Sequence, residues 1–272
     1  MRVLMCPPTE YKIGRKINHW MNPNNQPDKK RAWEQWHKVF EIYQKLGIKV
    51  YLIKPVPGLA DMVFCANAAW GRKGNFVLSN FKWPERQAEQ EHYKKWLRIY
   101  GFKTLNPFPE NVTFEGQGDL ITLKEAYLFG YGVRSSLTAK SFIEKKLKLK
   151  KEIIPLRLVD PKFPQDPRFY HLDTCLMYVA PIDTIIYYPG AFDKESQEKI
   201  SRLKTHKIEV YEEEAENFTC NGVCFKNTVV LGGASRRIIN LLKRKGLEVI
   251  SIEMSEFKKS GGGLRCLTLF LD

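Results

Sequence analysis

SGGGLRCLTLFLD, residues 260–272, places three consecutive glycines and an arginine directly ahead of Cys266. The apolar run from Cys266 to Leu271 predicts a buried strand, so the glycine loop that leads into it lies inside the fold. A buried strand needs partners. RVLMCPP at residues 2–8 is a second short apolar run with no helix ahead of it, and the two together can complete a unit that neither forms alone.

The units between them repeat. Five amphipathic stretches read as helices, beginning near Asp28, Pro84, Ser136, Lys194 and Ala234. In the first, Asp28 suits the N-cap and Gly47 the end, with Trp33, Trp36, Phe40 and Tyr43 on one face. Pro84 suits the first turn of the second. Each helix is followed by a short strand-like run (IKVYLIKP, FKTLNPF, EIIPLRLV, KIEVYE, LEVISIEM), and further runs precede the next helix: NFVLSN, AYLFGYG, IDTIIYYP and NTVVLGG. A helix with several short strands, recurring about every fifty residues, predicts a closed ring of five similar modules in one domain over residues 1–272. QPD near residue 27 and DPKFPQDPRF at 160–169 read as surface loops, not as linkers.

In such a ring, equivalent loops converge on one end of the axis. The loops that carry Asn67, Glu115, His171, Asn221 and Cys266 hold equivalent places in the five modules, so these residues are expected to share one central pocket.

Composition narrows the functional classes. The 272 residues carry a net charge of +14, but the excess falls in stretches such as KSFIEKKLKLKKEI and RRIINLLKRKG, where lysine and arginine alternate with apolar residues as on a solvated helix face. No helix-turn-helix, zinc-finger or RNP signature accompanies the charge, so nucleic acid is not an expected partner. No apolar run approaches the ~20 residues of a membrane span, and the N-terminal apolar run is too short for a signal peptide. A soluble cytoplasmic protein is expected, with its six scattered cysteines as free thiols.

A thiol, an imidazole and carboxylates in one pocket are the groups of nucleophilic catalysis. Arg265 and the glycine-loop amides are expected to lower the pKa of Cys266. Asp61, Glu115, Asp119 and Asp173 each occupy an apolar or glycine-rich run, where carboxylates are costly unless paired. Several acids near one thiol point to a cationic substrate. A non-catalytic alternative is a binding module with zinc held by Cys220, Cys224, His171 and Cys175, although C-x₃-C lacks the usual ligand pairing.

MCPPTEYKIGRKINHWMN, DMVFCANAA, KWPERQAE, FEGQGDL, GYGVRSS, YHLDTCL and GGGLRCLTL together resemble the guanidino-group-modifying superfamily: arginine deiminases, dimethylarginine dimethylaminohydrolases, amidinotransferases and arginine dihydrolases. The resemblance runs the length of the chain and implies a five-module α/β propeller, the pentein fold of ββαβ units. It implies Cys266 as nucleophile, His171 as general acid and base, and Glu115 as the acid that steadies the histidine. It further implies Asp173 as a guanidinium-holding carboxylate, Arg86 and Arg134 as holders of the substrate α-carboxylate, and Asn18 as a substrate-contacting loop residue. No metal or cofactor is implied.

Asn67 separates the subclasses. Arginine deiminases resemble this chain but carry aspartate there, which accepts only; an amide both donates and accepts. Asn67 therefore suits the guanidinium of arginine and then the neutral ureido group of citrulline, as the resemblance to the FxANA pattern of arginine dihydrolases implies. The expected reaction takes L-arginine to ornithine, carbon dioxide and two ammonia. The alternatives are a citrulline-forming deiminase or methylarginine hydrolase, and an amidinotransferase.

Overall fold

The computed structural model describes residues 1–106 and 108–272. Fifteen strands form five separate three-stranded sheets among them: β1 (Arg2–Met5), β2 (Lys49–Leu52), β3 (Ala69–Arg72), β4 (Asn75–Leu78), β5 (Lys103–Leu105), β6 (Leu120–Thr122), β7 (Tyr127–Tyr131), β8 (Ile153–Arg157), β9 (Leu176–Val179), β10 (Thr184–Tyr187), β11 (His206–Glu209), β12 (Val223–Phe225), β13 (Thr228–Leu231), β14 (Glu248–Ser251) and β15 (Leu269–Phe270). Every sheet repeats one pattern. An inner strand pairs antiparallel with a middle strand, and the middle strand runs through a helix to a parallel outer strand, as in β9–β10–β11 and β12–β13–β14. The crossover helices are Lys29–Lys45, Glu89–Ile99, Ala139–Leu147, Lys194–Arg202 and Arg236–Arg244.

Middle strands are covered on both faces and read as continuous apolar runs. TIIY in β10 and TVVL in β13 are buried at every position, whereas the outer strand KVYL of β2 is not buried at any. All five inner strands line a single cavity of about 710 Å³, which places them around one axis. The fifth sheet is made from both ends of the sequence: Val3 faces Phe270 and Leu4 faces Leu269, and β2 completes the sheet on the other side of β1. The five-module ring of ββαβ units is therefore the observed architecture.

Helix ends follow the local signals. Asp28 accepts from the Arg31 amide, Asp193 from Ser196 and Ser235 from Ile238. Gly47 closes the first helix at φ +71°, a conformation that glycine adopts without strain.

Trp33, Trp36 and Phe40 stack along one face of the first helix, with Trp33 at its exposed edge. One expectation needs correction. The final strand covers only Leu269–Phe270; Thr268 donates from its backbone to Arg265 and from its hydroxyl to Leu264, so the backbone around Cys266 is a turn. Among the described residues, no helix is long and apolar enough to cross a membrane.

Candidate active site

Each inner strand is entered through a tight turn, and the residue ahead of or within that turn points toward the axis at one end of the ring. Cys65–Ala68 carries Asn67, Gly116–Asp119 follows Glu115, and Leu172–Cys175 follows His171. Asn67, Glu115, His171, Asn221 and Cys266 are all buried, and hydrogen bonds link them in two sets. Close approach requires Gly118: a Cβ there would strike Asn67 Nδ2 and crowd the His171 ring. Gly261 of the glycine run sits at φ +74° with its Cα against Trp20 and Tyr170, which lets the loop ahead of Cys266 fold under residues 17–21.

In the first set, His171 Nε2 lies 2.8 Å from Glu115 Oε2 and His171 Nδ1 lies 3.4 Å from Asn67 Nδ2. Arg86 Nη1 donates to Asn67 Oδ1 at 2.9 Å, which turns the Nδ2 donor end of that amide toward the histidine. Nδ1 is then the acceptor and the proton sits on Nε2, donated to Glu115. Burial pushes the imidazole down to about 4, with Glu115 opposing and Arg134 and Arg86 reinforcing the shift. Burial works to raise the Glu115 carboxyl, but Arg134, His171 and Arg86 outweigh it and hold the group far below the usual carboxylate range. The resting pair is a neutral imidazole on an ionised carboxylate.

In the second set, Cys266 Sγ lies 3.2 Å from Asn221 Nδ2, and 3.6 and 3.9 Å from the two Asp173 oxygens. Burial and the Asp173 charge raise the thiol; the Gly263 backbone amide, Asn221 and Arg265 all pull it down, the first and last as expected, but they are outweighed. Asp173 itself is pushed up to about 7 by burial, against the pull of Arg265 and the thiol hydrogen bond. Cys266 is therefore a protonated thiol.

Arg86 and Arg134 are both 3% exposed. Glu89 grips Arg86 through Nε and Nη2 at 2.9 Å each, and Arg134 bonds Glu115 at 3.1 Å and the Ile17 carbonyl at 3.0 Å. Asn18 bonds the Ser260 carbonyl through Nδ2 while its Oδ1 accepts from Trp20 and Met21, so it pins residues 17–21 as a roof. Beneath that roof is a cavity with free room of only about 10 Å³, enough for about one water. Cys266, Asn67, Arg86, Arg134, Asn18 and Asp61 line it; His171 and Glu115 stand directly behind Asn67 and Arg134. Asp173 reaches the sulfur but belongs to the wall of the large cavity at the other end of the ring.

Two of the residues here had no site role assigned from sequence. Asp61 Oδ1 is buried with no hydrogen-bond partner among the described residues, its carboxyl raised by burial against the pull of Arg86 and Arg134. Its apolar run was the available signal. Asn221 was placed only by its position in the repeat. Asp119 does not line the cavity: it accepts from the Ser135 hydroxyl and the Leu172 amide, tying the Glu115 and His171 loops together. Among the described residues, no three His, Cys, Asp or Glu side chains gather as metal ligands, so Cys175, Cys220 and Cys224 do not form the zinc site considered from sequence.

Residues 10–271 match the family model described as N,N-dimethylarginine dimethylhydrolase, eukaryotic. The chain is 39% identical over 99% of its length to a bifunctional arginine dihydrolase/ornithine cyclodeaminase of Synechocystis, ArgZ, of which it spans 37%. It is 37% identical over 98% of its length to the N(G),N(G)-dimethylarginine dimethylaminohydrolase of Mycobacterium tuberculosis, spanning 85% of that protein. The substrate-bound N-terminal domain of ArgZ superposes with a TM-score of 0.91 at 37% identity, covering 98% of this chain and 97% of that one. A citrulline complex of the Pseudomonas aeruginosa dimethylarginine dimethylaminohydrolase shares the fold, with a TM-score of 0.79 at 19% identity over 98% of each chain.

Proposed function

Because the chain belongs to the N,N-dimethylarginine dimethylhydrolase family of guanidino-group hydrolases, we propose that residues 1–272 act as one cytoplasmic catalytic unit that hydrolyses L-arginine to ornithine, carbon dioxide and two ammonia. The observation that carries this reading is Asn67, an amide held by Arg86 with its donor end turned into the site beside His171. The likeness to ArgZ, a bifunctional arginine dihydrolase/ornithine cyclodeaminase, supports the same subclass.

The resting protonation states set the first step. Thiol and imidazole are both neutral, so His171 Nδ1 takes the Cys266 proton as the sulfur attacks the guanidinium carbon. The cation of the substrate favours the thiolate, and Glu115 favours the imidazolium. The imidazolium then protonates the departing ammonia, leaving an S-alkylthiouronium. Water attacks that carbon, His171 Nδ1 takes the water's proton, and the C–S bond breaks to give citrulline and free sulfur. A second attack on the ureido carbon expels the second ammonia and leaves a thiocarbamate. Its hydrolysis gives a carbamate that breaks down to ornithine and carbon dioxide.

Charge placement supports the orientation. Asp173 at the sulfur and Glu115 behind Arg134 face the guanidino end, and the unpartnered Asp61 oxygen suits the α-ammonium. Arg86 and Arg134 suit the α-carboxylate, Arg134 exchanging its bond to Ile17 for one to the substrate. Arginine does not fit the roofed cavity, so residues 17–21 must lift for it to enter.

The test is to incubate the protein with arginine and quantify products. Ornithine with two ammonia per arginine is expected; accumulation of citrulline with one ammonia identifies a deiminase. The dimethylaminohydrolase likeness favours a second substrate class, and dimethylamine release from dimethylarginine measures it directly.

A further inference from the structure

We infer that Asn221 is a catalytic donor to the Cys266 sulfur, a fixed N–H that stabilises the thiolate when it forms and again when it leaves. This rests on the reading of Cys266 as nucleophile. Asn221 is fully buried and uses its whole amide: Nδ2 donates to the sulfur at 3.2 Å and to the Asp173 carbonyl at 2.8 Å, while Oδ1 accepts from the Arg265 amide at 3.0 Å. The acceptor end is thereby occupied by a backbone N–H, and the donor end is forced toward sulfur. Gly263 leaves the space for this, since a Cβ there would come within 2.7 Å of Asn221 Oδ1.

The chemistry calls for such a group. Among the described residues Asp173 is the other side chain that contacts the sulfur, and its carboxylate disfavours the thiolate when ionised. Asn221 opposes it with a donor that does not titrate. In the proposed reaction the C–S bond forms and breaks twice, and each breaking step returns a negative charge to sulfur. Hydrogen bonds to charged acceptors are the strong class.

The experiment is the pH dependence of Cys266 alkylation by iodoacetamide, which needs no turnover of arginine and so stands apart from the substrate assignment. Asn221→Asp removes the donor but adds a charge beside the sulfur, so Asn221→Leu, neutral and of similar size, is measured with it. For both, the alkylation rate at neutral pH should fall by about tenfold to a hundredfold and the profile should move to higher pH. A folded Asn221→Leu protein with the wild-type profile overturns the proposal. If neither variant folds, the side-chain amide signal of Asn221 in the ¹⁵N-labelled wild-type protein decides: it must shift when Cys266 is deprotonated, and an unmoved signal overturns the assignment.

Discussion

The two ends of the ring differ in opposite ways. One end holds about 710 Å³ of space, its wall mixing apolar residues such as Trp70, Leu176 and Phe270 with Arg2, Arg72, Lys73 and Asp272; the other holds about 10 Å³ and is packed with buried charge. Volume points to the first and chemistry to the second. Inner strands can pack apolar side chains around an axis with no further provision, whereas buried Glu115, Arg86, Arg134, His171 and Asp173 persist only because each is bonded or neutralised. A cluster of that kind marks function more reliably than a hole does.

Four measurements break or sharpen that contrast. The largest effect is expected at the sulfur: Cys266→Ser should lower kcat by at least about 10⁴-fold while leaving the melting temperature near that of the parent. Residual turnover within tenfold of wild type would move the chemistry away from the crowded end.

Asp173→Asn should lower kcat/KM by about 10²- to 10³-fold and still stabilise the fold. Asp173 is raised to about 7 in the folded chain, from an unfolded value near 4. The folded state thus holds the proton more tightly, so Asp173 stabilises at low pH and loses that contribution as pH rises through about 7. The neutral amide escapes the loss, and melting at pH 8 should rise by several degrees over wild type, with no gain at pH 4. In the wild-type enzyme the same group must ionise to receive a cation, so kcat/KM should fall about tenfold per pH unit below 7.

Asn67→Asp should shift the product toward citrulline by several-fold, because the ureido oxygen loses its donor. An unchanged ornithine-to-citrulline ratio counts against the amide as the determinant of the second hydrolysis. The smallest effect is expected at the roomy end: Thr122→Trp, on its exposed rim, should change kcat/KM for arginine by less than about twofold. A large loss there would mean that the cavity serves turnover after all.

How much of this was legible in the chain follows from range. The ring and its five units were readable because helix faces and strand runs are local patterns, as at Asp28–Gly47 or TVVL in β13. Asn67, Glu115, His171 and Cys266 could be aligned because the repeat itself assigns equivalent loops. The expected lowering at Cys266 reversed because sequence shows Arg265 next door but neither the depth of burial of the thiol nor the distant Asp173 carboxylate that reaches the sulfur. Asp61 and Asn221 escaped assignment for the same reason: an unpaired oxygen and a donor aimed at sulfur exist only after loops from different modules meet. The roof over the small cavity depends on Asn18 reaching Ser260, a pairing with no local pattern.

The antiparallel pairing of β15 with β1 means that the sheet beside Cys266 is built from segments folded at opposite stages of synthesis. While the chain is being made, His171 and Glu115 can already be in place with no sulfur opposite them. Cys266 thus meets His171 and Glu115 only once β15 has zipped onto β1, and a molecule with that seam open holds the three groups apart.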